Sequence, residues 1–218
     1  MICQSVSEAE REIMRKEMGL NDPFLVQYFR FIKKAAQGDL GISYFHKLPT
    51  MTVILKKLPA TLELTFAATL IIIFLSIPFG VFSAIKPKHW FSKIIMAVSI
   101  VGISIPVFLT ALALIYIFSV KLGWMPSFGR GETVHLFGYW ETNFLSKDGL
   151  MHIIMPSIAL SSIMLPLFIR LVRAEMLEVL SSEYVKFARA KGLSSTKVYF
   201  KHALKNTMLP VITVGGVQ

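Results

Sequence analysis

The chain has 218 residues, of which 54% are hydrophobic and 17% charged, and 23 Lys and Arg against 13 Asp and Glu give a formal net charge of +10. With a mean hydropathy of +0.61, it is too apolar for an ordinary soluble domain and too poorly charged for a disordered one, and its single cysteine, Cys3, excludes a disulfide scaffold. A basic balance would suit a nucleic-acid binder, but long uncharged runs would not, so a membrane protein with basic loops beside lipid remains.

The first segment, Ser5 to Met18, is charged throughout and offers no apolar core for a signal peptide. Asp22 and Pro23 form an N-cap and N1 pair, and Phe24, Tyr28 and Ile32 keep one apolar face, so an amphipathic helix is expected up to Gly38. Gly38 to Gly41 reads as a turn, and Met51 to Leu58 as a short helix that Pro59 stops.

Phe66 to Ile85 is a run of 20 residues without charge, enough for a helix of about 30 Å, the thickness of the hydrocarbon core. The first span is placed at about 62–85. Ile94 to Val120 is a second uncharged run, of 27 residues, which crosses with tilt or a bend at Pro106. Met151 to Ile169, bounded by His152 and Arg170 and containing Pro156 and Pro166, gives a third span at about 151–170. A fourth run opens at about residue 207 and breaks off at Gln218, so the chain is expected to be a fragment with three complete spans and the start of another.

Lys and Arg accumulate on the cytoplasmic side of a membrane. Lys86 to Lys93 carries three Lys and no acid, and Arg170 to Lys205 eight Lys and Arg against three acids. Between them, Lys121 to Leu150 balances Lys121, Arg130 and Lys147 against Glu132, Glu141 and Asp148. The first and third loops are therefore read as cytoplasmic, the middle one and residues 1–60 as extracytoplasmic, and 61–218 as the transmembrane domain. Residues 1–60 carry nine Lys and Arg against six acids, an awkward balance for that side, though the rule weakens in long segments. A membrane helix upstream of Met1 would reconcile the two.

The informative stretch lies in the basic loop 171–206. Glu183 to Lys191 is built of helix-compatible residues, Gly192 suits a left-handed C′ position, and Ser194 or Ser195 can cap a following helix. Tyr184, Phe187, Ala188 and Lys191 share one side by three- and four-residue spacing, with Lys186, Arg189 and Lys191 around them, a surface suited to docking. The plain alternative is a solvated loop whose aromatics rest on the bilayer interface.

Aligned on Gly192, this stretch resembles the EAA loop of permease subunits of ATP-binding-cassette importers. Lys186 and Phe187 replace the first two letters, Ala188 matches the third and Leu204 the Leu of the I-x-L-P ending, while His202 and Lys205 depart from it. The departures resemble the oligopeptide and dipeptide (peptide/nickel) branch, as do Gly38-Asp-Leu-Gly41, Leu58-Pro-Ala-Thr61, Ser104-Ile-Pro-Val-Phe108, Leu122-Gly-Trp124 and Met208-Leu-Pro210. The resemblance implies an all-α polytopic helix bundle in a bacterial or archaeal inner membrane. It implies a homologous second permease, two cytoplasmic ATPases that hold ATP and Mg, and an extracytoplasmic substrate-binding protein, with no cofactor, metal or catalytic residue in this chain. Its coupling residues would be Glu183, Tyr184, Lys186, Phe187, Ala188, Arg189, Ala190 and Gly192. No G-x-x-x-x-G-K-[ST] occurs here.

Other residues read more plainly. Glu63 near the start of the first span suits a helix macrodipole, and Arg170 and Arg173 anchor the third span at the interface. His152 with Ser161 and Ser162 lacks the orienting acid of a triad. An ion-coupled transporter or channel, the competing class, would place ionisable residues or broken helices at mid-membrane. The uncharged runs offer no such residues.

Overall fold

The computed structural model describes residues 22–43, 45–138 and 140–217. Cys3, Ser5 to Met18 and Gln218 lie outside the described residues. In chain order the elements are α1 (Phe24–Ala36), α2 (Thr50–Ile85), α3 (Trp90–Ser104), α4 (Val107–Leu114) continuing as a π-helical segment (Ile115–Lys121), the strands β1 (Val134–Phe137) and β2 (Trp140–Thr142), α5 (Lys147–Ser181), α6 (Glu183–Ala190), α7 (Ser195–Lys197), a second π-helical segment (Val198–Ala203) and α8 (Leu204–Val217). The chain divides into two compact units between Leu58 and Pro59.

In the first unit, α1 starts one residue later than expected. Pro23 is its N-cap, and Asp22 does not cap it but pairs with Arg30 at 2.5 Å. With Pro23 outside the helix, Asp22 is one residue too far back to reach the free N–H groups, and the guanidinium two turns on takes its carboxylate. The turn at Gly38 to Gly41 uses positive φ at both glycines, +84° and +78°, and Asp39 accepts the Gly41 N–H at 2.9 Å.

Pro59 does not stop a helix. Residues 50–85 form one 36-residue helix with Pro59 and Pro78 inside it, because each proline removes a single intrahelical bond and a long helix tolerates two such losses. At about 1.5 Å per residue, α2 is roughly 54 Å long. The second apolar run is broken as well as bent: α3 ends at Ser104, Ile105 and Pro106 are extended, and the α3 axis meets that of Val107–Lys121 at 106°. Proline bars the α conformation at the residue before it, and Ile105 accordingly sits at ψ 120°.

In the second unit, two contacts fix how the long helices run. Glu63 meets Asn143, just before α5, while Gly80 abuts Val172 far along α5, where a Cβ on the glycine would lie 2.7 Å from that of the valine. Thus α2 and α5 are parallel, and the chain between them must return the length of the bundle. It does so along α5: Gly102 packs on Pro166, and Ala111 and Ile115 share a cavity with His152, Met155 and Ala159. By length and composition, two helices among the described residues can cross a membrane, or three with the bent pair taken as one span.

Packing in this unit inverts the soluble pattern. Ser76, Ser83, Ser92, Ser99, Ser157 and Ser161 are buried, whereas Phe74 is 71% and Leu209 76% exposed. Small residues let helix backbones approach, and large apolar side chains meet lipid or partner helices at no solvation cost. Three of these hydroxyls donate to their own helix, Ser99 to the Ile95 carbonyl at 2.8 Å, Ser157 to that of Ile153 at 2.7 Å and Ser161 to that of Ile158 at 2.9 Å. The all-α plan carries one small addition, an antiparallel hairpin of β1 and β2 pairing Val134 with Thr142 and Phe137 with Trp140, its register shifted between His135 and Phe137.

Candidate coupling hairpin and polar clamp

Local chemistry defines the hairpin. Ser182 ends α5 and begins α6: its hydroxyl donates to the Val179 carbonyl at 2.7 Å and accepts the Val185 N–H at 3.4 Å. Glu183 then occupies the first turn, where a carboxylate is favoured by the helix dipole, and pairs with Lys186 at 2.7 Å. The other end of α6 is a Schellman turn. Gly192 has φ +77°, its N–H bonds the Arg189 carbonyl at 2.9 Å, and the Leu193 N–H bonds that of Ala188 at 3.4 Å.

The face of α6 differs from the expected one. Tyr184 and Phe187 are exposed, as are Lys186, Arg189, Ala190, Lys191 and Gly192, but Ala188 is buried with Val185 in the core. Val185 and Ala188, one turn apart, join Val81, Ala84, Val172, Met176, Val198 and Ala203 in one apolar cluster. A helix of two turns resting on a bundle needs an inner stripe, and these two small residues provide it. Lys191 lies over the Phe187 ring, 4.5 Å from its centroid. The outward face of α6 is therefore Tyr184 and Phe187 with the cations beside them, without Ala188.

The return arm also departs from a plain second helix. Ser194 stands at the N-cap of α7 but its hydroxyl makes no cap bond, and only three residues are α-helical before the π-helical segment Val198–Ala203 begins. Tyr184 reaches across to this arm: its hydroxyl is 2.5 Å from His202 Nδ1, and the two rings meet edge to face at 5.6 Å. Along the sequence His202 is only a departure from the motif. Its partner stands 18 positions away, a separation no local periodicity reports.

At the opposite end of α5 lies a polar clamp that sequence reading missed. Glu63 is 5% exposed and is no first-turn residue, since α2 begins at Thr50. Its Oε2 accepts the Asn143 N–H at 3.1 Å and lies 3.7 Å from the Arg130 guanidinium. Arg130 Nε donates to Asn143 Oδ1 at 2.8 Å and Nη2 to the Glu141 carbonyl at 2.6 Å, while the Asn143 amide donates back to the Arg130 carbonyl. This clamp fastens the loop between α4 and α5 onto α2. The only sequence signal was a carboxylate inside an apolar helix, with its cation 67 positions on. His152 Nδ1 stays with the Asp148 carbonyl at 2.8 Å, and Ser161 and Ser162 bond their own helix.

Residues 76–218 match the family of binding-protein-dependent transport system inner membrane components. The chain is 38% identical over 216 residues to a dipeptide transport system permease protein of Alkalihalophilus pseudofirmus, covering 94% of this chain and 65% of the relative. It is 40% identical over 219 residues to an oligopeptide transport system permease protein of Bacillus subtilis, covering 100% and 67%. A glutathione transport system permease protein of Escherichia coli O6:H1 is 34% identical over 207 residues, covering 95% and 62%. The chain thus spans about two thirds of the length of the curated relatives it matches. With its parallel apolar helices, broken second apolar run and capped basic hairpin, it belongs to the family of binding-protein-dependent transport system inner membrane components.

Proposed function

We propose that this chain is a permease subunit of an ATP-driven importer of di- or oligopeptides, lining the transmembrane pathway together with a homologous permease. An extracytoplasmic binding protein delivers the substrate, and two cytoplasmic ATPases hold ATP and Mg and do the hydrolysis. The similarity to dipeptide and oligopeptide permeases supports the substrate class. An ion-coupled transporter or channel is not favoured by that kinship.

The observation that carries the coupling role is the hairpin Glu183 to Gly192. It is capped at both ends, seated on the bundle core through Val185 and Ala188, and presents Tyr184 and Phe187 outward. Force applied to that aromatic face is transmitted through Val185 and Ala188 to Val172 and Met176 of α5 and to Val81 and Ala84 of α2, which belong to the same cluster. Closure of the ATPases would thus rock α2 and α5 together, a rigid-body coupling between distant sites. The shared cluster also supports the sidedness reading, because it holds the end of α2 next to Lys86 and the hairpin at one end of the bundle. On this reading the bent pair is one crossing, and 171–206 is cytoplasmic.

The test is uptake of labelled di- and oligopeptides by vesicles in which the chain is assembled with its partner permease and ATPases. Uptake requires ATP inside the ATPase-facing compartment and persists when ion gradients are collapsed. Uptake that follows an ion gradient without ATP refutes the proposal.

A further inference from the structure

A groove of about 650 Å³ opens between α3, α5 and α8 at the hairpin end of the bundle, and it combines two features that seldom meet. Its walls are apolar, built from Met96, Leu167, Leu171 and Val214, yet Arg170 and Arg173 project into it. The Arg173 Nε is buried without a hydrogen-bond partner, and among the described residues no ion pair or hydrogen bond engages either guanidinium. A buried donor left unmade is costly, most of all on a charged group, so the site is incomplete as the chain stands alone. Glu175 and Glu178 follow on the same helix, but neither pairs with these arginines.

Depth identifies the missing group. Met151 to Ile169 is the uncharged part of α5, about 28 Å of helix, so Arg170 stands at the edge of the hydrocarbon and Arg173 roughly 5 Å beyond it. That is the level of lipid phosphates. Planar guanidiniums bind phosphate oxygens with two parallel N–H donors, and basic pockets between transmembrane helices on the positively charged side take anionic head groups. Leu167 and Leu171 line the groove with apolar surface on which acyl chains can lie. We propose that this groove is a binding site for an anionic phospholipid, its phosphate held by Arg170 and Arg173 and its chains by the apolar walls, so that one lipid bridges α3, α5 and α8.

Native mass spectrometry of the purified membrane protein, titrated with phosphatidylglycerol, phosphatidylcholine or inorganic phosphate, tests this. Phosphatidylglycerol is retained, and the double variant Arg170→Gln/Arg173→Gln weakens retention roughly tenfold or more. Lys197→Gln/Lys201→Gln, which removes an equal charge from the hairpin, leaves it unchanged. Leu167→Trp keeps both guanidiniums but narrows the groove, and lowers retention too, which decides the matter should the arginine variant insert poorly. Several results overturn the proposal: equal binding of phosphatidylcholine, displacement of the lipid by millimolar phosphate, or equal loss in the two double variants. So does unchanged lipid retention in the Arg170→Gln/Arg173→Gln protein together with loss of the homologous permease, which assigns the groove to a subunit contact.

Discussion

Replacing Gly192 by valine isolates the contribution of a single backbone conformation to coupling. The residue sits at φ +77°, and a Cβ built there meets nothing within 4 Å. The cost is therefore conformational rather than steric crowding by neighbours: about 1–2 kcal/mol for an L-residue in the left-handed region, with a β-branched side chain at the upper end. At 1.4 kcal/mol per factor of ten, the open form of the turn gains roughly five- to thirtyfold in population. The two bonds that close it, Gly192 N–H to Arg189 and Leu193 N–H to Ala188, are the ones lost. The spans and the apolar cluster do not depend on them, so membrane insertion stays normal while transport falls. Hydrogen exchange at Leu193 together with peptide uptake is the measurement. Gly192→Asn, whose side chain tolerates this conformation, recovers most of both. Normal uptake by an inserted Gly192→Val protein, or equal damage from asparagine and valine, refutes the reasoning.

Three further outcomes are expected. Phe187→Ala costs on the order of 2 kcal/mol in retention of the co-purified ATPase and Lys186→Ala well under 1, at low and high salt alike, since a buried aromatic anchors an interface while rim charges tune its rate; the reverse order would show that charge holds the joint. A cysteine at Ser194 stays unlabelled by an impermeant thiol reagent in intact cells and one at Ser146 reacts, because the basic loops fall on the cytoplasmic side; the opposite result inverts the topology. Arg130→Met leaves the Glu63 carboxylate buried without its cation and releases Asn143, destabilising the loop onto α2 by roughly 2–4 kcal/mol, read as faster proteolysis between Lys121 and Ser146; Glu63→Gln/Arg130→Met recovers part of the loss, and an additive double variant would show that the two residues are not coupled.

The amino-acid sequence by itself determined what depends on neighbours along the chain. Uncharged runs long enough to cross lipid, the Gly38 to Gly41 turn and the left-handed stop at Gly192 follow from local hydrophobicity and from glycine's freedom at positive φ. So did the helix-stop-helix outline of the hairpin. Two local expectations gave way to other interactions: α2 runs through Pro59 and Pro78 because a 36-residue helix absorbs two missing bonds, and Asp22 yields its cap to pair with Arg30. Only the tertiary structure decided the rest. Ala188 and Val185 face inward because the bundle lies beneath them, His202 serves Tyr184 across a turn, and Glu63 is held by Arg130 and Asn143 from a loop far along the chain. Ser76, Ser83, Ser99 and Ser157 are inside while Phe74 and Phe108 are outside because lipid, unlike water, does not reward burying large apolar groups, so helix contact selects for close fit. Such pairings join residues whose separation in the chain has no period, and the membrane removes the hydrophobic pattern that would otherwise mark the inner face.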